Sequence, residues 1–495
     1  MKSQTIIIMT DSQRWDMVGC YGNADMKTPN IDRLGAEGLR FDRAYTACPL
    51  CAPARAALFT GQYPYAAGAF TNDMALFDFT KTVGQRLTDN GIHCAYIGKW
   101  HLDGGDYFGM GRCPDGWNSD YWYEMRNYLE ELTDDERRKS RDHTIVDREA
   151  IQKEFTYAHR CANRAEDFLA KHADEDFLLV VSFDEPHHPW LCPEPYASMY
   201  KGYDFPKTPN VHDRLEGKPL HQKTWAGDRV GWNREMLRID ESYFLGCNAY
   251  VDYEIGRVLA TIDKFAPEAL LIYTSDHGEM MESHCLSSKG PAAYDEIARI
   301  PFIIRQKGVI ASGGNYPYPV SHLDVAPTLM EHMGLPIPKL LNGKSLMPVL
   351  RNPSVRINKY VFIEYFRYGT MLDGFGGFQP MRTIFDGRHK LTIHLLSEDE
   401  LYDLETDPGE INNLIAASGY EQVRNALHDA LLENMNETQD PFRGYYWEHR
   451  SWRKDVRPLD WEYTRMSRRR EHMEYEPMQL DYATGHVAEG SIWAK

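Results

Sequence analysis

Three short apolar segments, each followed directly by polar residues, limit this chain to a fold built around a buried sheet. The segments are Thr5 to Met9, Phe177 to Phe183 and Ala269 to Thr274. Such nearly continuous apolar runs are typical of strands that helices cover on both faces. Because open α/β sheets build their sites at the carboxyl ends of the strands, the polar residues that follow predict a site there. These residues are Thr10-Asp11, Asp184-Glu185-Pro186-His187 and Ser275-Asp276-His277.

Helical patterns such as Pro29 to Leu39 and Asn163 to His172 lie between these segments, and Tyr360 to Phe366 is predicted as a further strand. The alternation predicts an α/β fold with a large mixed, mostly parallel sheet flanked by helices. At 495 residues the chain is too long for one hydrophobic core, so we expect two domains. The first, over residues 1–375, is the predicted catalytic domain.

The pattern changes from about Met381 to short strands, followed by a helix from Tyr420 to Met435. This change predicts a smaller C-terminal α+β domain, over residues 376–495, that contains an antiparallel sheet. Its tail after Asp440 is rich in Trp, Tyr and Arg and includes Arg468-Arg469-Arg470. We expect the tail to pack on its own protein or, in a homo-oligomer, on a partner subunit, with a role in shaping the site as the alternative.

The formal net charge of −18 argues against a nucleic-acid partner, because a phosphate backbone is bound by a basic surface. A local pocket can still be positive on an acidic protein, so an anionic substrate stays open. The apolar run near the N-terminus is too short for a secretory signal, and no stretch approaches the roughly 20 apolar residues that span a bilayer. Nine cysteines, an odd number, fit a fully paired disulfide framework poorly. We therefore expect a cytoplasmic protein without a membrane partner.

Cys51 lies close to the start of a predicted helix. The run from Pro53 to Phe59 is compatible with a helix, with proline favoured at its first position and Gly61 as its stop. The free backbone N–H groups and the macrodipole at this helix end favour an anion beside Cys51. Arg55, one turn along, is placed to hold a charged group there.

Cys48 and Cys51 also form a C-x-x-C pair, which leaves open a thiol-redox or non-enzymatic protein. In a redox motif the pair opens the helix, whereas here the second cysteine leads into it. This alternative also leaves the neighbouring acidic, lysine and histidine residues without a role.

The segment from Cys51 to Gly61 resembles the signature of type I sulfatases, which belong to the alkaline phosphatase superfamily. The match rests on Cys51, Pro53, Arg55 and the Thr60-Gly61 end, which fall at the family's offsets. The resemblance implies that a maturation enzyme, either formylglycine-generating or radical-type, oxidises Cys51 to formylglycine. One hydroxyl of the hydrated aldehyde attacks the sulfur of a small-molecule sulfate ester, and the other collapses to the aldehyde and expels sulfate. The implied activity is hydrolysis of a sulfate monoester to inorganic sulfate and an alcohol or phenol.

The resemblance also implies one divalent metal site at the strand ends. The run from Thr274 to Glu279 resembles the family's second metal motif, so the implied ligands are Asp11, Asp276, His277 and residue 51. Calcium is the expected ion because it prefers oxygen ligands, and the nitrogen of His277 keeps manganese open, with magnesium as a further alternative. Many members have Asp-Asp where this chain has Asp11-Ser12, which leaves the number of ligands open.

Five further site residues follow from the resemblance. Lys99 and Lys289 would bind the sulfate, and His101 would contact the formylglycine hydroxyl. His187 would also bind the substrate and protonate the leaving-group oxygen, because the ordinary pKa of histidine lies near neutral. Asn72 lies where some relatives place a substrate-contacting amide. The motifs concerned are Gly98-Lys99-Trp100-His101 and Pro186-His187-His188-Pro189.

Further motifs extend the resemblance from Asp11 to Leu414, which covers most of the chain. They imply the alkaline phosphatase-like fold of this family. The motifs are Thr28-Pro29-Asn30-Ile31-Asp32-Arg33-Leu34, Arg299-Ile300-Pro301-Phe302-Ile303-Ile304, Asp324-Val325-Ala326-Pro327-Thr328-Leu329 and the stretch from Glu400 to Leu414.

A phosphonate monoester or phosphodiester hydrolase of the same superfamily is the nearest alternative, because it shares the formylglycine segment, a single first-site Asp and the later Asp-His. The Lys99-Trp100-His101 run favours the sulfatase, since the phosphonate enzymes place uncharged or hydroxyl side chains there. The organic half of the substrate stays open between aryl, steroid and sugar sulfates. The segments expected to line its pocket are Asp103 to Tyr107, Tyr121 to Tyr128 and Pro206 to Asn233.

Overall fold

The computed structural model describes residues 2–105, 108–147, 149–203, 208–230, 241–370, 378–453 and 455–456. The strands of these residues form one large sheet and two smaller ones. In chain order they are β1 (Gln4–Thr10), β2 (Leu39–Phe41), β3 (Ala44–Tyr45), β4 (His93–Gly98), β5 (Phe177–Ser182), β6 (Leu270–Ser275), β7 (Arg299–Ile300), β8 (Phe302–Arg305), β9 (Gly314–Tyr316), β10 (Val320–Ser321), β11 (Val361–Tyr365), β12 (Met381–Phe385), β13 (His389–His394) and β14 (Glu400–Asp403).

The large sheet has seven strands in the order β4-β5-β1-β6-β8-β2-β9. The four strands β4, β5, β1 and β6 run parallel, whereas β8 runs antiparallel to both β6 and β2. The predicted mixed, mostly parallel sheet is confirmed. The three predicted apolar strands are β5, β1 and β6, which are direct neighbours at its centre.

Helices cover both faces of this sheet. Ile7 and Met9 of β1 face one core, which also contains residues of α2, α4 and α12, and Ile6 and Ile8 face the other, with α1, α7 and α10. The apolar runs are nearly continuous because both faces are buried. The α-helices are α1 (Pro29–Glu37), α2 (Cys51–Thr60), α3 (Pro64–Ala67), α4 (Val83–Thr88), α5 (Met125–Glu131), α6 (Asp134–Lys139), α7 (Tyr157–His172), α8 (Tyr196–Met199), α9 (Leu220–Ala226), α10 (Glu241–Phe265), α11 (Asp295–Ala298), α12 (Val325–His332), α13 (Met347–Arg351), α14 (Glu421–Glu437) and α15 (Tyr445–Glu448).

The predicted C-terminal antiparallel sheet is confirmed, with the order β11-β12-β13-β14. The predicted helix corresponds to α14, which packs on this sheet through Leu427, Leu431 and Met435. The strand β11 belongs to this sheet although it precedes residue 376. The antiparallel sheet therefore begins before the predicted second domain, and the division at 376 stays a prediction. A small three-stranded sheet, β10-β3-β7, pairs with neither of them, and Tyr45 of β3 packs in one core with residues of β11 and β12.

Part of the C-terminal tail packs on its own protein, since Trp447 of α15 is buried in the core beneath α14. The Arg468-Arg469-Arg470 run lies outside the described residues. Among the residues that are described, no helix combines the length and the apolar character needed to cross a membrane.

Candidate active site

The carboxyl ends of the central strands bring the predicted acidic and basic residues to one place. β1 leads into Asp11, β4 into Lys99 and β6 into Asp276-His277, and all four side chains are buried. Because β1 and β6 pair in parallel along their whole length, Asp11 and Asp276 emerge side by side at the same sheet edge.

The helix α2 begins at Cys51 itself, two residues earlier than the sequence predicts. Pro53 occupies the third helical position, where its missing N–H costs nothing because that group has no intrahelical acceptor. Leu50 is the extended N-cap residue without a side-chain cap. Asn72 supplies a cap instead, since its Oδ1 accepts a hydrogen bond from the Ala52 N–H at 3.2 Å. Asn72, predicted to contact substrate, thus contacts the helix that carries Cys51.

The buried side chain of Arg55 connects the carboxyl ends of the strands through hydrogen bonds. Its guanidinium is fully buried and donates to Oδ2 of Asp276 at 3.0 Å and to Oδ2 of Asp11 at 3.1 Å. It also donates to the carbonyl oxygen of Lys99 at 2.6 Å and to Oγ of Ser182 at 2.8 Å. Arg55 therefore holds charged groups of the protein in register, which is the physical role of its position one turn into α2.

Four potential metal ligands, one of them the first residue of α2, lie close together. The ligand atoms of Asp11, Cys51, Asp276 and His277 all lie within 4.8 Å of one another, and the four residues are buried. Burial and the neighbouring Asp11 raise the pKa of Asp276 to about 7. Two carboxylates that repel each other in a desolvated site fit a divalent cation, because the ion would neutralise both.

The pKa of Asp11 shifts in the opposite direction from that of Asp276. Burial alone would raise the pKa of Asp11, but the charges of Lys99, His187 and Arg55 hold it well below its usual range. Ser12, where many relatives have a second Asp, donates from Oγ to Oδ1 of Asp11 at 2.8 Å, and its N–H donates to Oδ1 of Asp276 at 3.1 Å. Ser12 therefore orients both carboxylates without adding a third negative charge.

The Cys51 thiol lies at the centre of this set. Its Sγ is 3.1 Å from Nε2 of His277 and 3.9 Å from Oδ1 of Asp11. Burial and Asp11 would raise the pKa of this thiol, yet Lys289, Lys99 and His277 together lower it to about 7. The ring of His277 is oriented by a 2.7 Å hydrogen bond between Nδ1 and the carbonyl oxygen of Gly278, which leaves Nε2 facing Cys51.

Two lysines give the site a positive character despite the negative charge of the whole chain. Lys99 is 1% exposed and pairs with Oδ2 of Asp11 at 2.7 Å and with Oδ1 of Asp184 at 3.1 Å. Lys289 is 4% exposed, and the charge of Cys51 is the strongest influence that raises its pKa against the effect of burial. Buried ammonium groups that face residue 51 are suited to an anionic substrate.

His101 and His187 are also in place. Burial first, and then the charges of Lys99 and Arg55, lower the pKa of His101 to about 3. Burial and the two lysines hold the pKa of His187 well below its usual value. The Nδ1 atom of His187 lies 2.8 Å from the carbonyl oxygen of His188, so Nε2 is the nitrogen that can face a substrate.

A cavity of about 370 Å³ opens beside His187 and Lys289. Its aromatic walls could not be predicted from sequence, because they come from distant parts of the chain and follow no motif. Of the segments expected to line a pocket, the described parts of Asp103 to Tyr107, Tyr121 to Tyr128 and Pro206 to Asn233 contribute no residue here. Residues 106–107, 206–207 and 231–233 of these segments lie outside the described residues. The lining residues are Ser12, His187, His188, Trp190, Phe244, Glu279, Met281, Ser287, Ser288, Lys289 and Tyr368.

A larger cavity, of about 480 Å³, lies between α14 and the loop around Asn342 and contains none of the predicted site residues. We place the site at the smaller cavity because the titratable groups converge there.

A second cluster with metal-ligand chemistry lies at the opposite, amino end of the sheet. His93 and His172 contact the two oxygens of Glu175 through Nδ1, at 2.7 and 2.8 Å. Asn118 donates from Nδ2 to Nε2 of His93 at 2.6 Å, while its Oδ1 accepts from the Asp120 N–H. Because Nε2 of His93 accepts the hydrogen bond from Asn118, Nδ1 donates to Glu175 and both ring nitrogens are used, so this cluster is a hydrogen-bonded set rather than a metal centre.

The fold and the site together are those of an alkaline phosphatase-like hydrolase with a potential metal site. The sulfatase family profile matches residues 3–335, which is more than half of the chain. A second profile, the C-terminal region of N-sulphoglucosamine sulphohydrolase, matches residues 290–437. The chain therefore belongs to the sulfatase family and is a sulfuric ester hydrolase.

Relatives and solved structures agree with this assignment. The chain is 43% identical over 492 residues to the uncharacterized sulfatase YidJ of Escherichia coli (strain K12), covering 98% of this chain and 97% of that one. It is 26% identical over 477 residues to an arylsulfatase of Clostridium perfringens, covering 89% and 96%. A solved structure in complex with its substrate D-glucosamine-2-N,6-O-disulfate shares the fold, with a TM-score of 0.72, 22% identity and coverage of 90% and 99%. The phosphonate monoester hydrolase of Agrobacterium radiobacter does so with a TM-score of 0.74, 24% identity and coverage of 88% and 96%.

Proposed function

We propose that this enzyme hydrolyses a small-molecule sulfate monoester through a formylglycine made from Cys51, assisted by one divalent cation. The position of Cys51 carries the proposal. It is the first residue of a buried helix, it belongs to the four-ligand set, and two buried lysines lie close enough to lower the pKa of its thiol. An inert core cysteine needs no such surroundings, because carboxylates and lysines are costly to bury.

The chain's own residues would prepare residue 51 for this role. As formylglycine, residue 51 would supply the two hydroxyls of a hydrated aldehyde, one to attack sulfur and one to expel sulfate. Asn72 and Arg55 hold α2 and the adjacent carboxylates in place. Lys99 and Lys289 would bind the anionic sulfate oxygens, and His101 would contact residue 51.

His187 would donate a proton to the leaving-group oxygen. Its pKa lies well below the usual value in the free protein, so it is neutral there. The negative charge of a bound sulfate group beside it would raise that pKa and favour the protonated form. We expect His187→Ala to slow esters with poor leaving groups by about 100-fold, and activated aryl esters much less. Equal losses of kcat on both kinds of ester would show that His187 only positions the substrate.

The metal would be held by Asp11, Asp276, His277 and residue 51, and it would act as a Lewis acid on the bound ester. We propose calcium, because carboxylates form half of the donor set, with manganese or magnesium as the alternative that the His277 nitrogen leaves open. Ser12 keeps the set at two carboxylates.

One observation favours a phosphonate monoester or phosphodiester hydrolase as the second candidate. The first metal position has the single carboxylate of Asp11 followed by Ser12, and the protein shares its fold with a phosphonate monoester hydrolase. The buried Lys99 favours the sulfate ester instead, since the phosphonate enzymes place an uncharged or hydroxyl side chain at this position.

Two measurements test the proposal. Aldehyde-specific labelling of the peptide that carries residue 51 should give a modified peptide, and an intact Cys48–Cys51 disulfide in active protein would exclude it. Both cysteines are free thiols in the structure. Turnover of a panel of aryl, steroid and sugar sulfates with one phosphonate ester should be highest on a sulfate, and preference for the phosphonate would establish the second candidate.

The proposal includes two partners and a location. It requires a formylglycine-generating or radical-type maturation enzyme. We propose a reducing, cytoplasmic location because nine cysteines, an odd number, fit a fully paired disulfide framework poorly, and cell fractionation tests this. Self-association through the tail after residue 440 is proposed too, and comparing the solution mass of the full chain with that of a chain ending at 456 tests it.

A further inference from the structure

The loop over residues 280–288, here called the clamp loop, has an unusual backbone. Met281, Glu282, His284, Cys285 and Ser288 all have positive φ, between 41° and 70°, and none is glycine. This left-handed region is unfavourable for residues with a Cβ atom, and such residues keep it only where their surroundings impose it. The conformation of the clamp loop is therefore fixed from outside the loop.

The ends of the clamp loop are closed against each other. The Met280 N–H donates to the Ser288 carbonyl oxygen at 2.9 Å, and the Glu282 N–H donates to that of Leu286 at 2.8 Å. The Glu279 carboxylate accepts from the backbone of Met281 and Ser288. The loop is thus a compact unit whose last residue leads directly into Lys289.

Several contacts from other parts of the chain lock this unit, including one from Cys285 Sγ to the Asp213 carbonyl oxygen at 3.3 Å. Arg14 donates to the Met280 carbonyl oxygen at 3.0 Å and to Oγ of Ser283 at 3.2 Å. On the far side, His284 is fully buried, its Nδ1 lies 2.7 Å from Oδ2 of Asp213, and its ring stacks on Tyr294 at 3.9 Å. The His284 contact lies on the side of the loop away from the cavity that Lys289 lines.

The face opposite His284 forms part of the candidate active site. Met281, Ser287, Ser288 and Lys289 line the cavity beside His187. Within the clamp loop, a shift of His284 would therefore move the cavity wall and Lys289 together, because the closed loop ends transmit it.

We propose that His284 is a positioning residue that acts through the clamp loop to fix Lys289 against residue 51, so that the sulfate group meets a rigid positive charge. The proposal rests on sulfate ester hydrolysis as the function of the site. Among the described residues, the contacts of His284 include none of the four proposed metal ligands, so its effect reaches the reaction through the clamp loop and Lys289.

The test uses the full-length enzyme and inorganic sulfate as the probe, with its dissociation constant measured by calorimetry beside KM and kcat for an aryl sulfate. We expect His284→Ala to weaken sulfate binding about tenfold and to raise KM by a similar factor. His284→Asn should restore both to within about twofold, because Asn tolerates positive φ and can still donate to Asp213.

Two further variants separate positioning from loss of stability. His428→Ala removes another fully buried histidine, in α14, that contacts the Trp447 carbonyl oxygen and not the clamp loop. It should lower the melting temperature yet leave sulfate affinity unchanged. In a Lys289→Ala background, His284→Ala should cause no further loss of sulfate affinity.

Wild-type affinity in His284→Ala, independent multiplicative losses in the double variant, or no sulfate binding by the wild-type enzyme would each overturn the proposal. If the binding results come out as expected but no sulfate ester is hydrolysed, the clamp stands and the proposed reaction fails. If sulfate esters are hydrolysed but His284→Ala keeps the wild-type sulfate affinity, the proposed reaction stands and the clamp proposal fails.

Discussion

Two groups of buried charged residues in this protein differ in how their carboxylates are compensated. At the active site, Asp11 and Asp276 both accept hydrogen bonds from Arg55. Burial and the repulsion of Asp11 nevertheless raise the pKa of Asp276 to about 7. The second group, here called the junction network, lies between the clamp loop and the C-terminal sheet and consists of Asp213, Lys218, His284, Tyr294, His394, Glu400 and Tyr402.

In the junction network every carboxylate faces donors. Glu400 accepts from Tyr294, Tyr402 and Gln222 and pairs with His394 at 2.8 Å. Burial alone would raise its pKa, but these partners, His394 first, lower it to about 2. The contrast supports a structural role for the compensated network, whereas the repulsion between Asp11 and Asp276 fits a site that a further positive charge completes.

The largest effect is expected at residue 51. Cys51→Ala should reduce sulfate ester turnover by at least about 10⁴-fold, because it removes the nucleophile on which the other residues act. The melting temperature should change little, since one small buried atom is lost. Steady-state kinetics and calorimetry measure the two quantities, and residual activity above a few per cent would contradict covalent catalysis by residue 51.

Glu400→Gln breaks the junction network instead. We expect the free energy of unfolding to fall by about 3 kcal/mol, because His394 and two tyrosine hydroxyls lose a charged acceptor. Metal affinity should stay unchanged. Urea unfolding of Glu398→Gln, an exposed neighbour, is the matched control and should show a change below about 0.5 kcal/mol. Equal destabilisation in both variants would refute the comparison.

A divalent cation should stabilise the protein through the active site and not through the junction network. Millimolar calcium or manganese is expected to raise the melting temperature of metal-free enzyme by a few degrees, since it binds only the folded state. Asp276→Asn should abolish this rise, and Glu400→Gln should retain it. Scanning calorimetry with and without chelator measures the shift, and a rise that survives in Asp276→Asn would place the ion elsewhere.

The smallest effect is the dependence of stability on pH. The pKa of Glu400 is lowered from 4.5 to about 2 by folding. Its contribution is therefore present above pH 4.5 and is lost as the pH falls towards 2. In Glu400→Gln the decline of stability over this window should be shallower than in the wild type, as measured by urea unfolding at several pH values. Parallel curves would show that Glu400 is not compensated as described.

Much of the fold could be predicted from local patterns. The strands β1, β5 and β6 are apolar along their whole length because both faces are buried, and this pattern is visible in the sequence. Asp11, Asp276 and His277 could be predicted as one site because they follow strands, and Cys51 because it lies near a helix start. The roles of Lys99, His101 and Lys289 follow only from the resemblance to the sulfatase family.

Other features depend on contacts between distant segments and leave no local signal. Asn72 reaches the start of α2 only through the folded chain, and Tyr368 lines the cavity from a loop after β11. The clamp loop has positive φ at residues that are not glycine, so its sequence contains no turn signature from which its conformation could be predicted. The contribution of β11 to the antiparallel sheet is likewise decided by its pairing with β12, not by its own composition.

The depth of Cys51 also sets an order of events in biosynthesis. Its side chain is 2% exposed in the folded chain and is enclosed by α2 and three strand ends. An enzyme that oxidises this residue must bring its own catalytic groups to the sulfur, which the folded protein does not permit. The proposed maturation must therefore take place while the segment is still extended, before the strands of the large sheet assemble around it. Protein that folds before Cys51 is oxidised would keep the thiol, and adding the maturation enzyme afterwards would not restore activity.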